Sequence, residues 1–188
     1  MLPSYTNLIL DSIAGSHLYG LADSESDMDT YSVFVSNSVK GKSFDRISDD
    51  DDRKTCELDA FLKQIRMGSP QALEALFASS TTFRSDYEPF LKSIRPGPKA
   101  TTRTYLKIAD GFAYDNGGRN TINDRLALKN RRHALRLLLN LREILRRGRF
   151  EPELAPGQIE FLNWAGGLDN KEFEHDYEHL REYALSSF

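Results

Sequence analysis

The chain has a single cysteine, Cys56, in 188 residues, which excludes an intramolecular disulfide and a cysteine-rich metal site. No apolar run approaches the roughly 18 residues that span a bilayer, so no membrane segment is expected. Met1-Leu2-Pro3-Ser4 carries neither the basic nor the apolar block of a secretory leader, and a reducing cytoplasm is the expected setting. Excess positive charge is also missing. With a formal net charge of -3 there is no global attraction to nucleic acid, so any phosphate-binding surface has to be a local patch. What remains, 39% hydrophobic and 28% charged residues, is the composition of a soluble globular protein with one well-buried core and room for a helical extension.

The most informative stretch is Gly15-Ser16, then ten residues, then Asp27-Met28-Asp29. The apolar run from Leu8 to Ala14 ends at Gly15, and Asp29 to Val35 carries the β-rich series Tyr31, Val33, Phe34 and Val35, so two strands are predicted. Ser16 to Gly20 suits a short helical turn with outward backbone N–H groups, and Asp23 to Ser26 a polar loop. In an extended strand Asp27 and Asp29 project to one face, with Met28 expected toward the core. Two oxygen ligands on one face can hold Mg2+ against a polyphosphate.

From Val39 to Arg53 the chain is polar and ends in Asp49-Asp50-Asp51-Asp52, which reads as a solvated loop with one member available for chemistry. Leu58, Phe61, Leu62 and Ile65 follow helical spacing over Glu57 to Met67. Gly68 ends that helix, and Ser69-Pro70 restarts another through Leu73, Leu76 and Phe77. Arg95-Pro96-Gly97-Pro98 is the one obvious boundary, dividing an α/β (α+β) core over 1–94 from a helical subdomain over 99–188 expected to pack on it. There, Thr101 or Thr102 is the expected cap of a helix reaching Tyr114, with Asn116-Gly117-Gly118 as its stop. Thr121 to Asp124 resembles a capping box opening a long helix to Gly148, and a last pair spans Gln158 to Ala165 and Asp169 to Leu185.

The long helix superposes two patterns. Ala134, Leu137, Leu138, Leu141, Ile144 and Leu145 form a broad apolar stripe, while Arg125, Lys129, Arg132, His133 and Arg136 recur at steps of three and four and are expected to share another face. Such a cluster repels itself unless an anion sits in it, and a triphosphate suits it; a solvated or acid-paired basic face is the plainer alternative. A Ser-His-Asp hydrolase built on Ser16, His17 and Asp27 is disfavoured, because adjacent Ser and His seldom meet productively. His175 and His179, four apart on a helix, lack a zinc-protease pattern and read as a solvent-facing pair.

Ile13 to Ala22, Ser24 to Ser26 and Asp27-Met28-Asp29 resemble the signature of DNA-polymerase-beta-type nucleotidyltransferases, and more narrowly the RNA-repair-associated (RlaP-type) branch. Gly68-Ser69-Pro70, Leu73 to Phe77 and the run from Lys129 to Arg136 resemble later elements of that branch, so the resemblance covers most of residues 8 to 148. It implies a small mixed-sheet nucleotidyltransferase core with Gly15 and Ser16 on the triphosphate of an NTP such as ATP. Asp27 and Asp29 would be catalytic ligands of Mg2+ or Mn2+. A third acid on a neighbouring strand falls at Asp52, with Asp50 or Asp51 as alternatives. His17, Lys129, Arg132, His133 and Arg136 become candidate nucleotide contacts. The implied reaction moves a nucleoside monophosphate to a hydroxyl, with a nucleic acid end favoured and a protein or small-molecule acceptor kept open. Two departures stand out: His17 and Tyr31 occupy positions where the branch commonly has arginine. A catalytically silent nucleotide- or RNA-binding module, or a toxin-antitoxin or phage-defence transferase acting on a protein or tRNA, are the competing expectations.

Overall fold

The computed structural model describes residues 7–36, 40–46, 51–115 and 124–186. The chain divides into two compact units, Met1–Pro96 with Glu151–Glu153, and Gly97–Phe150 with Leu154–Phe188.

In the first unit, strand β1 (Leu8–Ala14) runs into a short helix α1 (Gly15–Tyr19), followed by strands β2 (Met28–Phe34), β3 (Ser43–Arg46) and β4 (Asp51–Glu57). Helices α2 (Leu58–Arg66) and α3 (Pro70–Phe77), a two-residue strand β5 (Thr82–Phe83) and helix α4 (Glu88–Ser93) complete it. The strands form one mixed sheet in the order β3-β4-β2-β1-β5, in which β2 and β4 pair in parallel and the other neighbours are antiparallel. The solvated-loop reading of the acidic run is thus corrected at its end, where Asp51 and Asp52 open β4, and the polar stretch before it contains β3. Neither strand shows apolar alternation at its beginning. The backbone of β4 is satisfied by a ladder on each side and that of β3 by the one it shares with β4, so polar side chains at the strand ends carry no penalty.

The two faces of the sheet differ. One face carries Leu10 and Ser12 of β1, Tyr31 and Val33 of β2 and Cys56 of β4, all buried beneath α2 and α3. The Tyr31 ring packs tilted against that of Phe61 of α2 with centroids 6.0 Å apart, and Thr81 just after α3 donates to Ser12 Oγ at 2.9 Å. In α3, Leu73 and Leu76 are at most 3% exposed, each worth about 1.5–3 kcal/mol of apolar transfer. The other face is polar: Ser32 donates to Asp11 at 2.6 Å and Arg53 to Thr30 at 3.3 Å. Met28 belongs there and is 42% exposed, which corrects its expected place in the core. The core lies on the aspartate side, deeper along the strands.

Helix ends follow local chemistry. Glu57 caps α2 by accepting from Asp59 N at 2.9 Å, and its same oxygen takes Gly41 N at 2.8 Å. Pro70 opens α3 with Ser69 in the cap position, although the Ser69 hydroxyl makes no cap bond.

The second unit is helical: α5 (Pro98–Asp110) passes into a π-helical turn at Gly111–Asp115, and α6 (Asp124–Arg147), α7 (Pro156–Gly166) and α8 (Asn170–Leu185) follow. The expected stop at 116–118 and the capping-box residues 121–123 lie outside the described residues. Thr101 and Thr102 do not cap. They sit inside α5, which begins at Pro98, and bond back to the carbonyls of Gly97 and Pro98, both at 2.9 Å. Helix α6 is the hub, packing on α5, α7 and α8 through Ala134, Leu135, Leu138 and Leu141, all fully buried. Asp169 caps α8 by accepting from Lys171 N and Glu172 N at 2.8 and 3.0 Å.

Candidate active site

Two register relations build the candidate site. The antiparallel pairing of β1 and β2 sets Ala14 opposite Asp29, which brings the residue after Ala14, Gly15, against that aspartate. Gly15 has φ +63, and a Cβ there would fall 1.7 Å from Oδ2 of Asp29. Only glycine meets both demands, a left-handed backbone and a bare flank for a carboxylate. The parallel pairing of β2 and β4 then sets Asp29 beside Asp52. Partners in register share a sheet face, so the two half-buried carboxylates form a row on the helix-covered side, at the strand ends.

Asp27 stands one residue ahead of β2 and is exposed. The loop delivering it is fastened at several points. Asp23 Oδ1 accepts from Glu25 N and Ser26 Oγ, both at 3.0 Å, and Ser26 Oγ accepts from Asp23 N at 2.9 Å. His17, exposed on α1, donates Nε2–H to the carbonyl of Ser26 at 3.2 Å. Asp51 registers with Met28, and Asp50 lies outside the described residues. Among the described residues no three His, Cys, Asp or Glu side chains gather as a ready-made metal cage.

Tyr31 is a core residue: it is 1% exposed, its hydroxyl donates to Gln64 at 2.9 Å, and Cys56 Sγ lies 3.3 Å away. Two partnerships escaped sequence reasoning. Tyr19 of α1 donates to the buried carboxylate of Glu74 at 2.6 Å, fixing α1, and with it the Gly15-Ser16 turn, to α3. Lys54, on the face of Asp52, donates to Gln71 Oε1 at 2.9 Å. The signal for Lys54 was its place two residues after Asp52. Glu74 gave none, because nothing local in α3 shows that its one acid is buried.

In the second unit the burial of the basic cluster of α6 rises along the helix. Arg125 and Lys129 are exposed, Arg132 and His133 half-buried, and Arg136 only 4% exposed. His133 stacks on Phe112 with ring centroids 5.3 Å apart. Burial first, then the charges of Arg136 and Lys129, push its imidazole down to about 3. Arg131, which sequence reasoning passed over, is buried and donates to the carbonyls of Gly166 at 3.2 Å and Leu168 at 2.6 Å, to the Asn170 side chain, and over the ring of Phe173 at 4.8 Å. Burial lowers its pKa, with Asp169 partly offsetting that. It ties the corner between α7 and α8 to α6. His175 and His179 are both exposed, their rings edge to face at 4.4 Å. No helix among the described residues is long and apolar enough to cross a membrane.

Comparison with curated proteins gives no match. Among solved structures the chain is similar to a nucleotidyltransferase-like protein from Exiguobacterium sibiricum 255-15, at 15% identity and a TM-score of 0.39, over 97% of this chain and 71% of that one. The family described as RlaP, RNA repair pathway DNA polymerase beta family, matches residues 4–156. That span holds the Gly15 turn, the Asp29–Asp52 row and α6, and the chain belongs to this RNA repair pathway branch of the DNA polymerase beta family.

Proposed function

We propose that the chain is a metal-dependent nucleotidyltransferase that moves a nucleoside monophosphate from an NTP to a hydroxyl acceptor in the cytoplasm, with a nucleic acid end as the favoured acceptor. The observation that carries the reading is the carboxylate row: Asp29 in register with Asp52 on one sheet face, and the Asp29 carboxylate lying against Gly15. The donor set is all carboxylate oxygen, which suits Mg2+ or Mn2+, and Asp27, Asp29 and Asp52 are the residues that would hold it. Bound there, such ions would acidify the acceptor hydroxyl and offset charge on the departing pyrophosphate.

The chain's own residues divide the remaining work. Gly15 and Ser16 give the triphosphate a turn without a side chain between it and Asp29. His17 holds the carbonyl of Ser26 and thereby the approach of Asp27, a positioning role. Lys129, Arg132, His133 and Arg136 of α6 are kept as candidate nucleotide contacts, with Lys129 the most accessible of them.

A silent nucleotide- or RNA-binding module is the second reading. It is favoured by the absence of a gathered three-residue cage among the described residues and by the core role of Tyr31. One experiment separates the two. The protein is incubated with Mg2+, each labelled NTP in turn and pooled RNA, beside the Asp27→Asn/Asp29→Asn double variant. Label should enter RNA with wild type and fall by on the order of 10³-fold or more in the variant. NTP binding without transfer supports the module. Label in protein or in a small molecule moves the acceptor away from nucleic acid, and equal transfer by both proteins sinks the enzyme reading at this site.

A further inference from the structure

Strands β1, β2 and β4 are consecutive neighbours in the sheet, about 4.8 Å apart. The Gly15-Ser16 turn, at the end of β1, therefore lies to one side of Asp29, and Asp52 lies to the other. On the reading above, donor phosphates take the turn side. The acceptor is left with the β4 side, and on β4 the cation that shares the face of Asp52 is Lys54.

Lys54 is two residues along β4 from Asp52, so it projects to the same face, about 6.6 Å further into the sheet. Its register partners are Tyr31 on β2, whose hydroxyl is already engaged by Gln64, and Asp45 on β3. The Lys54 ammonium donates to Gln71 Oε1 at 2.9 Å, at the exposed start of α3. A neutral amide steadies the long side chain without cancelling its charge, and the four-carbon stem lets the ammonium swing toward the acid row. Arg53, the adjacent residue of equal charge, faces the opposite side of the sheet and donates to Thr30.

We infer that Lys54 is the acceptor-side cation, holding the phosphodiester that precedes the terminal ribose whose hydroxyl attacks. The assignment rests on the proposed transfer reaction, but its test does not need catalysis. Binding of a 5′-labelled single-stranded oligoribonucleotide with a free 3′-hydroxyl is followed by fluorescence anisotropy across a salt series, using the full chain without NTP. Lys54→Met, which keeps the stem, should raise Kd roughly 5- to 10-fold and reduce the slope of log K against log salt by about 0.7, the loss of one single-strand phosphate contact. Lys54→Arg should restore binding, Lys54→Gln should repeat the loss, and Arg53→Met should stay within about twofold of wild type. In the transfer assay, KM for the oligonucleotide should rise with KM for NTP unchanged.

Oligonucleotide binding by Lys54→Met equal to wild type overturns the inference, even where transfer proceeds. So does an equal loss in Arg53→Met, which would make the effect one of bulk charge. A rise in KM for NTP alone overturns it too, by moving Lys54 to the donor side. Conversely, the Kd shift without transfer by any protein sinks the reaction and leaves Lys54 as an RNA contact.

Discussion

Strands β2 and β4 of the first unit hold Asp29 and Asp52 at one end of a face whose other end is core, whereas helix α6 of the second unit carries cations into its packing. On β2 and β4 the same face that holds Asp29 and Asp52 at the strand ends holds Val33 and Cys56, both 0% exposed, further along. Position along the strand decides whether a side chain serves chemistry or the core. On α6 that separation is absent. Arg131 and Arg136 are buried within a helix whose Ala134, Leu135 and Leu138 are fully buried, while Arg125 and Lys129 of the same helix are exposed. A sheet sorts by distance from its end, and a helix sorts by angle and so mixes cations with leucines turn by turn.

The comparison breaks most readily at Gly15. Replacing it with alanine forces a left-handed backbone on a residue with Cβ, costing about 1–2 kcal/mol, and drives Cβ into the Asp29 carboxylate. Transfer activity should fall by on the order of 10²-fold or more, since displacement by about 1 Å suffices for that. The check is a transfer assay paired with thermal melting. Activity within a few-fold of wild type would show that Asp29 need not lie where the rim puts it.

The next effect falls in the second unit. Arg131→Met should destabilise by about 2–4 kcal/mol, because the carbonyls of Gly166 and Leu168 lose a charged donor, whereas Lys129→Ala should stay within about 0.5 kcal/mol. Denaturant unfolding of both variants measures the contrast. Equal effects would mean that burial does not divide the cations of α6.

A third effect is one of pH. The folded-state pKa of His133 is about 3, held below the unfolded value near 6.5 by burial first and then by Arg136 and Lys129. Between those values the unfolded chain binds the proton and the folded chain does not. The stability tied to neutral His133 is therefore present above about pH 6.5 and lost as pH falls toward 3. Unfolding curves between pH 4 and 7 should be flatter for His133→Phe than for wild type. If a triphosphate settles on this face, saturating NTP should raise the imidazole pKa in an NMR titration, sharpening the split between structural and substrate-facing cations.

Much of this was legible in the sequence, for particular reasons. Strand β1, the Gly15 turn, β2, α2, α3 and the long helix declare themselves through apolar periodicity and glycine or proline at their ends. Strand β4 did not, because Asp-Asp-Arg-Lys-Thr-Cys-Glu has no alternation and owes its place to partners on both sides. Met28 was misassigned because alternation gives two faces without saying which one is covered. Thr101 and Thr102 looked like caps, yet Pro98 could start the helix earlier. The buried Arg131 did leave a trace: it precedes Ala134, Leu135 and Leu138 by three, four and seven residues, on the apolar stripe. One arginine among many on that helix was easily read as surface. The Asp29–Asp52 row was anticipated through the family resemblance, and its geometry follows from a pairing that no local pattern encodes.

That pairing has a consequence for the aspartate run. A slip of β4 by one residue would turn its side chains to the wrong face, but a slip by two would bring Asp50 into the place of Asp52 and leave the rim looking unchanged. The safeguard is at the far end of the strand, where Cys56 fills the closed slot beside Val33 and a two-residue slip would drive Lys54 into it. An ammonium forced into that dry space costs several kcal/mol. A repetitive acidic tract is thus indexed by one small thiol about 13 Å away along the strand, much as a ruler with identical marks is read from its stop.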